Sequence, residues 1–324
     1  MRSLVCTLAA LCFLSTPALA QGPDADWRTL TTPHYRVHYP APTEAWTLYM
    51  AARLEAIRER VVAEVGWAPE QIVDIVVADP VAAANGAAIP LLDTPRMVLW
   101  TNPPEPASTI GNFADWAEDL VVHEDLHLVH LLRPSRNPWR RFLQRLLPVG
   151  PLSLRAPRWV HEGYATYVEG RLTGRGRPNS DLRASILRRW AVAGRLPAYG
   201  ALDQDWESYL GMSMAYLVGS SYLEWLVDRS GPESLRHLWA RLSAHTNRDF
   251  DTAFEGVFGE SPARLYDRFT AELTWRAMEV ERQLAPTRQE GELWQELGWT
   301  TGAPTVSPDG AKVAIVHQRK DQAS

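Results

Sequence analysis

The stretch that most limits how this chain can fold is His123-Glu124-Asp125-Leu126-His127, set in a run of apolar residues. Leu120, Val121, Val122, Leu126, Leu128, Val129, Leu131 and Leu132 surround it, as expected of a buried helix. On a helix, positions i and i+4 share one face, so His123 and His127 can reach a single metal ion. Glu124 stands beside them, where a carboxylate can take a proton from a water activated by that metal. An H-E-x-x-H run also arises by chance in ordinary helices whose histidines are simply satisfied. What decides between the two readings is a third ligand.

A candidate follows. Trp159-Val160-His161-Glu162-Gly163-Tyr164-Ala165-Thr166-Tyr167-Val168-Glu169 reads as a second helix, and Ala156-Pro157-Arg158 suits its start. Glu162 would complete the His-His-Glu set of catalytic zinc sites. H-E-x-x-H followed by W-x-x-E-G-x-A-x-Y-x-E resembles the gluzincin metallopeptidases, above all the peptidase MA-like and aminopeptidase N-like groups. The resemblance implies one zinc ion (Zn2+) held by His123, His127 and Glu162, with Glu124 as general base and a peptide or protein as substrate. It also implies a thermolysin-like α+β arrangement. His127 and Glu162 are separated by 34 residues, longer than in aminopeptidase N relatives, so an insertion lies between them. His130 shares the helical face and is either a rival ligand or, as favoured, a packed or supporting histidine. The metzincin pattern fails, because it needs Gly at 130 and His at 133 where this chain has His130 and Arg133. Glu169 lies two turns beyond Glu162 and either orients a ligand imidazole or is solvated.

Tyr216-Leu217-Val218-Gly219-Ser220-Ser221-Tyr222 resembles the Y-x-x-G stretch of the same families, whose first tyrosine stabilises the tetrahedral intermediate. That match gives the role to Tyr216; otherwise Tyr216 and Tyr222 are core aromatics. These peptidases bind extended substrate along an edge strand, for which the candidate is Asn85-Gly86-Ala87-Ala88-Ile89-Pro90. Aminopeptidase N relatives carry there an acid that holds the substrate's α-amine. This segment has none, and the nearest is Asp93, which tilts the expectation toward endopeptidase action. The alternative class is a non-catalytic envelope binding or assembly module on the same fold.

Residues 1–20 bound the compartment. Met1-Arg2, the apolar run from Leu4 to Leu14 and Ala18-Leu19-Ala20 describe a signal peptide cleaved after Ala20, and hence export to the periplasm or beyond. Both cysteines, Cys6 and Cys12, fall inside it, so the mature chain needs no disulfide and its metal ligands must be His or carboxylate. No later segment is apolar and long enough to span a bilayer. A net charge of −5 gives no support for nucleic-acid binding. Nothing in the sequence sets the oligomeric state.

The organisation reads as a small α/β lobe (21–111), a helical lobe (112–285) and a tail (286–324). In the first lobe, strands are expected over 28–39, 71–78 and 96–101, a helix over 43–65, and a turn at Asn85-Gly86. Helices are expected at 181–194, 205–230, 232–244, 249–256 and 261–284. The insertion, 133–158, holds Arg133, Arg136, Arg140, Arg141, Arg145, Arg155 and Arg158 and no acid, interleaved with Trp139, Phe142, Leu143, Leu146 and Leu147. It suits a short basic amphipathic helix, which could rest on an anionic membrane or close as a lid. Packing on its own lobe is the favoured reading. Arg171, Arg175 and Arg177 follow the second zinc helix closely and either touch substrate or, as favoured, form an ordinary basic loop. In the tail, Pro304 to Val316 resembles the S-P-D-G-x-x-[IVL]-A hairpin of a TolB-type β-propeller blade. A propeller needs several blades, so either this is a piece of a longer protein, as expected, or the tail is a lone hairpin.

Overall fold

The computed structural model describes residues 25–80, 83–106, 108–203, 209–289, 291–294 and 304–315. The expected signal peptide and residues 205–208 lie outside the described residues. The fold is mixed α+β, an N-terminal sheet followed by a mostly helical remainder.

The sheet is built from β1 (Trp27–Thr31), β2 (Tyr35–Pro40), β3 (Val73–Ala78), β4 (Gly86–Ile89) and β5 (Arg96–Trp100), in the order β1-β2-β3-β5-β4. β2, β3 and β5 run parallel, while β1 and β4 pair antiparallel at the two edges. The parallel step from β2 to β3 needs a crossover, supplied by α1 (Glu44–Ala51) and α2 (Leu54–Val65). Tyr35, Val37, Val73, Ile75, Val77, Met97 and Leu99 bury one face of the sheet.

Three departures from the expected elements have local causes. The strand expected over 28–39 is a hairpin, turned where Thr32 N donates to Tyr35 O and Pro33 has no amide for a ladder. The helix expected over 43–65 breaks after Ala51, because Arg53 N bonds back to Met50 O and the Arg53 side chain takes Tyr49 O at 2.7 Å. Asn85-Gly86 opens β4 rather than a turn, with Gly86 opposite Leu99 on β5.

The remaining helices are α3 (Trp116–Leu131), α4 (Pro138–Leu143), α5 (Pro151–Arg155), α6 (Arg158–Thr173), α7 (Asp181–Val192), α8 (Tyr209–Ser230), α9 (Ser234–Leu242), α10 (Phe250–Phe258) and α11 (Pro262–Leu284). Asp115 caps α3 by accepting from the Ala117 and Glu118 amides. Apart from Glu118, every residue of α3 is buried, for it packs against β4, β5, α2 and α6 at once. α6 crosses α8 at two glycines. A Cβ on Gly163 would lie 2.8 Å from the Gly219 carbonyl carbon, and one on Gly219 would lie 2.8 Å from Trp159 O. Only glycine allows that approach, and it brings Glu162 and Tyr216, each next to the crossing in its own helix, onto one cavity. The tail residues β6 (Thr305–Val306) and β7 (Val313–Ala314) form an exposed antiparallel hairpin. Among the described residues no helix is long and apolar enough to cross a membrane.

Candidate metal centre

His123 and His127 come from one face of α3 and Glu162 from the first turns of α6. The start of α6 is held by Asp203, whose carboxylate accepts the Trp159 amide at 2.7 Å. One ligating atom from each of His123, His127 and Glu162 lies within 4.8 Å of the others. Glu162 Oε2 is 3.7 Å from His123 Nε2 and 3.3 Å from His127 Nε2. Donors on a zinc tetrahedron with bonds of about 2.0–2.1 Å sit roughly 3.3 Å apart, so the placement of Glu162 Oε2 relative to the two nitrogens is close to what that ion needs. Glu162 is 20% exposed while the histidines are nearly closed off, which leaves the approach on the cavity side.

The environment tunes each group. Burial and the Arg177 guanidinium pull His123 down, yet the Glu162 and Glu169 carboxylates outweigh them and push it up to about 9. Burial would raise Glu162, but His127 and His123 hold it well below the usual carboxylate range. Glu124 is raised, chiefly by burial, against the pull of the two histidines. A base held above the ordinary carboxylate range accepts a proton more readily. Gly86 of β4 lies against it: a Cβ there would sit 2.8 Å from Glu124 Oε1. Asp125 points the other way, accepting from Tyr35 Oη at 2.9 Å and tying α3 to the sheet.

Glu169 is buried, with Oε2 3.2 Å from His123 Nδ1, where it can accept from that nitrogen and leave Nε2 for a metal. The solvated alternative for Glu169 is thereby excluded. Arg177 supports it in turn, donating its backbone amide to Glu169 Oε1 at 2.7 Å and its guanidinium to Oε2 at 3.2 Å. Among the three loop arginines, Arg171 and Arg175 are exposed, but Arg177 is only 12% exposed and is part of the centre. Sequence reasoning missed this. Asp119 was missed as well, though its place one turn before His123 could have marked it. Burial and Glu169 push its carboxyl up to about 8.

Tyr216 and Tyr222 separate cleanly. Tyr222 is fully buried and donates to Pro262 O, a core aromatic. Tyr216 lines the cavity, its ring centroid 6.3 Å from that of His123, with Arg177 and Arg158 over its face at 4.8 and 5.3 Å. Burial and Glu162 push its hydroxyl up to about 12, so it keeps its proton at neutral pH. His130 stands outside the ligand cluster, packed against Trp239 and Tyr164 at 4.3 and 4.8 Å, and burial drives it well below its ordinary value. The cavity, about 260 Å3, runs from Gly86-Ala87-Ala88 of β4 across the centre to Tyr216.

No family model matches the chain, and no curated protein matches it by sequence. Among solved structures it is similar to that of native yeast LTA4 hydrolase, with a TM-score of 0.43 and 12% identity. The likeness covers 77% of this chain and 38% of that one, so this chain spans well under half of its neighbour's length.

Proposed function

We propose that this chain is a zinc-dependent peptidase of the gluzincin kind, with the thermolysin-like lobes 21–111 and 112–285 facing each other across the cleft. The observation that carries the reading is the meeting of His123, His127 and Glu162 within 4.8 Å beside the buried Glu124. Bound there, zinc would supply a Lewis acid that polarises a carbonyl and acidifies a water. Glu124 takes the proton of the attacking water and passes it to the leaving amine. Tyr216, still protonated, donates to the oxygen on which charge develops. Among the described residues β4 pairs only with β5, and its other edge offers backbone groups to an extended peptide.

The lack of a carboxylate in 85–90 supports endopeptidase over aminopeptidase action, since nothing on that edge would hold an α-amine. The exported compartment and the propeller that would continue from 286–324 belong to the same reading, resting on residues 1–20 and on the Pro304–Val316 pattern. The test is hydrolysis of a peptide library by zinc-loaded protein, beside Glu124→Gln. Cleavage by the wild type alone, with equal zinc in both, supports the peptidase. Equal zinc with no cleavage by either would favour the non-catalytic module. Offering each cleaved peptide N-acetylated sorts exo- from endopeptidase action.

A further inference from the structure

Between α3 and α6 the chain makes an excursion that the metal centre does not use. α4 and the turn after it raise Trp139, Phe142, Leu143, Leu146 and Leu147 into solvent, at 78, 54, 57, 78 and 60% exposure. Single exposed leucines need no explanation, but five large apolar side chains within nine residues do. The packing expected of this helix is absent, for no residue of α4 is buried.

Charge surrounds this apolar crown. Arg136, Arg141 and Arg145 stand exposed, and 133–158 contains no acid. Beside α4 lies an open groove of about 790 Å3 whose lining includes Arg133, Arg136, Arg141 and Arg145, with Glu70 and Asp93 its acids. The exposed guanidinium groups of Arg136, Arg141 and Arg145 suit phosphate oxygens.

The crown is also firm and closed on itself. Asn137 caps α4 through the Trp139 and Arg140 amides. The amides of Gln144, Arg145, Leu146 and Leu147 all bond back within the same turns. Such a backbone can enter an apolar boundary without stranding a donor. Gln144 ties the two legs, accepting from Ser135 N and donating to Val149 O. The legs are fixed to the body, Arg136 N on Ser243 O and Leu92 N on Pro148 O.

We infer that residues 136–147 are a membrane-docking crown that seats the protein on an anionic phospholipid bilayer, apolar side chains in the headgroup–acyl boundary and arginines on lipid phosphates. A second copy of the chain would bring the same arginines face to face, which like charges oppose. Val149, just after the crown, makes an isolated bridge to Leu91, two residues beyond β4. The docking surface stands whether or not the cleft is catalytic.

The experiment is co-sedimentation of the full chain with phosphatidylcholine vesicles, with and without phosphatidylglycerol. The protein should pellet with the phosphatidylglycerol vesicles, far less without that lipid, and release as salt is raised. Arg141→Gln with Arg145→Gln should weaken binding on the order of 30-fold. Leu146→Ser with Leu147→Ser should weaken it on the order of 100-fold. Circular dichroism and zinc content should not change, since these side chains lie outside the core. The inference is overturned if wild type stays in the supernatant with phosphatidylglycerol vesicles, or if both double variants pellet as it does. It is equally overturned if light scattering shows a dimer that the leucine variant dissolves, without lipid binding.

Discussion

Changing Glu169 to Gln keeps the shape of the side chain and removes its charge, and two neighbours feel this. His123 Nδ1, 3.2 Å away, loses the carboxylate that sets its tautomer. Loss of such a partner lowers metal affinity by about 10–100-fold. Arg177, 12% exposed, loses its ion partner, and breaking a buried pair costs about 3–5 kcal/mol. Here the cost is smaller, because Asp119 can take over. With its carboxyl pushed up to about 8 by burial and Glu169, Asp119 is mostly protonated at neutral pH. Neutralising Glu169 removes that repulsion, Arg177 pulls the carboxyl down, and it ionises. Glu169→Gln should therefore cost about 2 kcal/mol and Asp119→Asn well under 1 kcal/mol, while the double variant costs about 4 kcal/mol. Denaturant unfolding of the metal-free proteins gives the stabilities, and competition with a chelator gives the zinc affinities. Additive stabilities, or zinc affinity unchanged in Glu169→Gln, would refute this coupling of ligand, carboxylate and arginine.

Other outcomes follow from the same geometry. Gly86→Ala puts a Cβ 2.6 Å from Leu120 Cδ1 and 2.8 Å from Glu124 Oε1, so the carboxylate must shift. Turnover should fall about 100-fold with zinc retained, and an unchanged rate would mean that Glu124 is not the base. Tyr216→Phe should keep zinc and lose about 100-fold or more in kcat; full turnover would return Tyr216 to a packing role. In the metal-free chain His123, held at about 9, carries a proton at neutral pH that a metal must displace. Zinc affinity should thus rise with pH between 7 and 8, with proton release visible as calorimetric enthalpies that depend on the buffer. Identical enthalpies across buffers would contradict it.

How much could be read beforehand differs by element. α3 and α6 were legible because their polar residues fall at helical spacing inside otherwise apolar runs, and those same residues form the candidate metal cluster. β4 was harder: Gly-Ala-Ala-Ile has little strand propensity, and only its pairing to β5 makes it an edge. Arg177 was illegible because a glycine turn carries it back to the centre. Gly176, at φ 72°, donates to Asn112 O and aims the next residue inward. The composition of the 133–158 insertion was plain, but periodicity states which side chains share a face, not whether anything covers it. Its exposure is a property of the assembled fold.

The most direct test is the zinc content of the purified protein beside Glu162→Ala, which removes one ligand and leaves α6 its favoured helix former. One zinc per chain in the wild type, lost in the variant, is the predicted result. A wild type that takes up no zinc when it is supplied, or a variant that holds zinc as tightly, would contradict the His123, His127 and Glu162 centre.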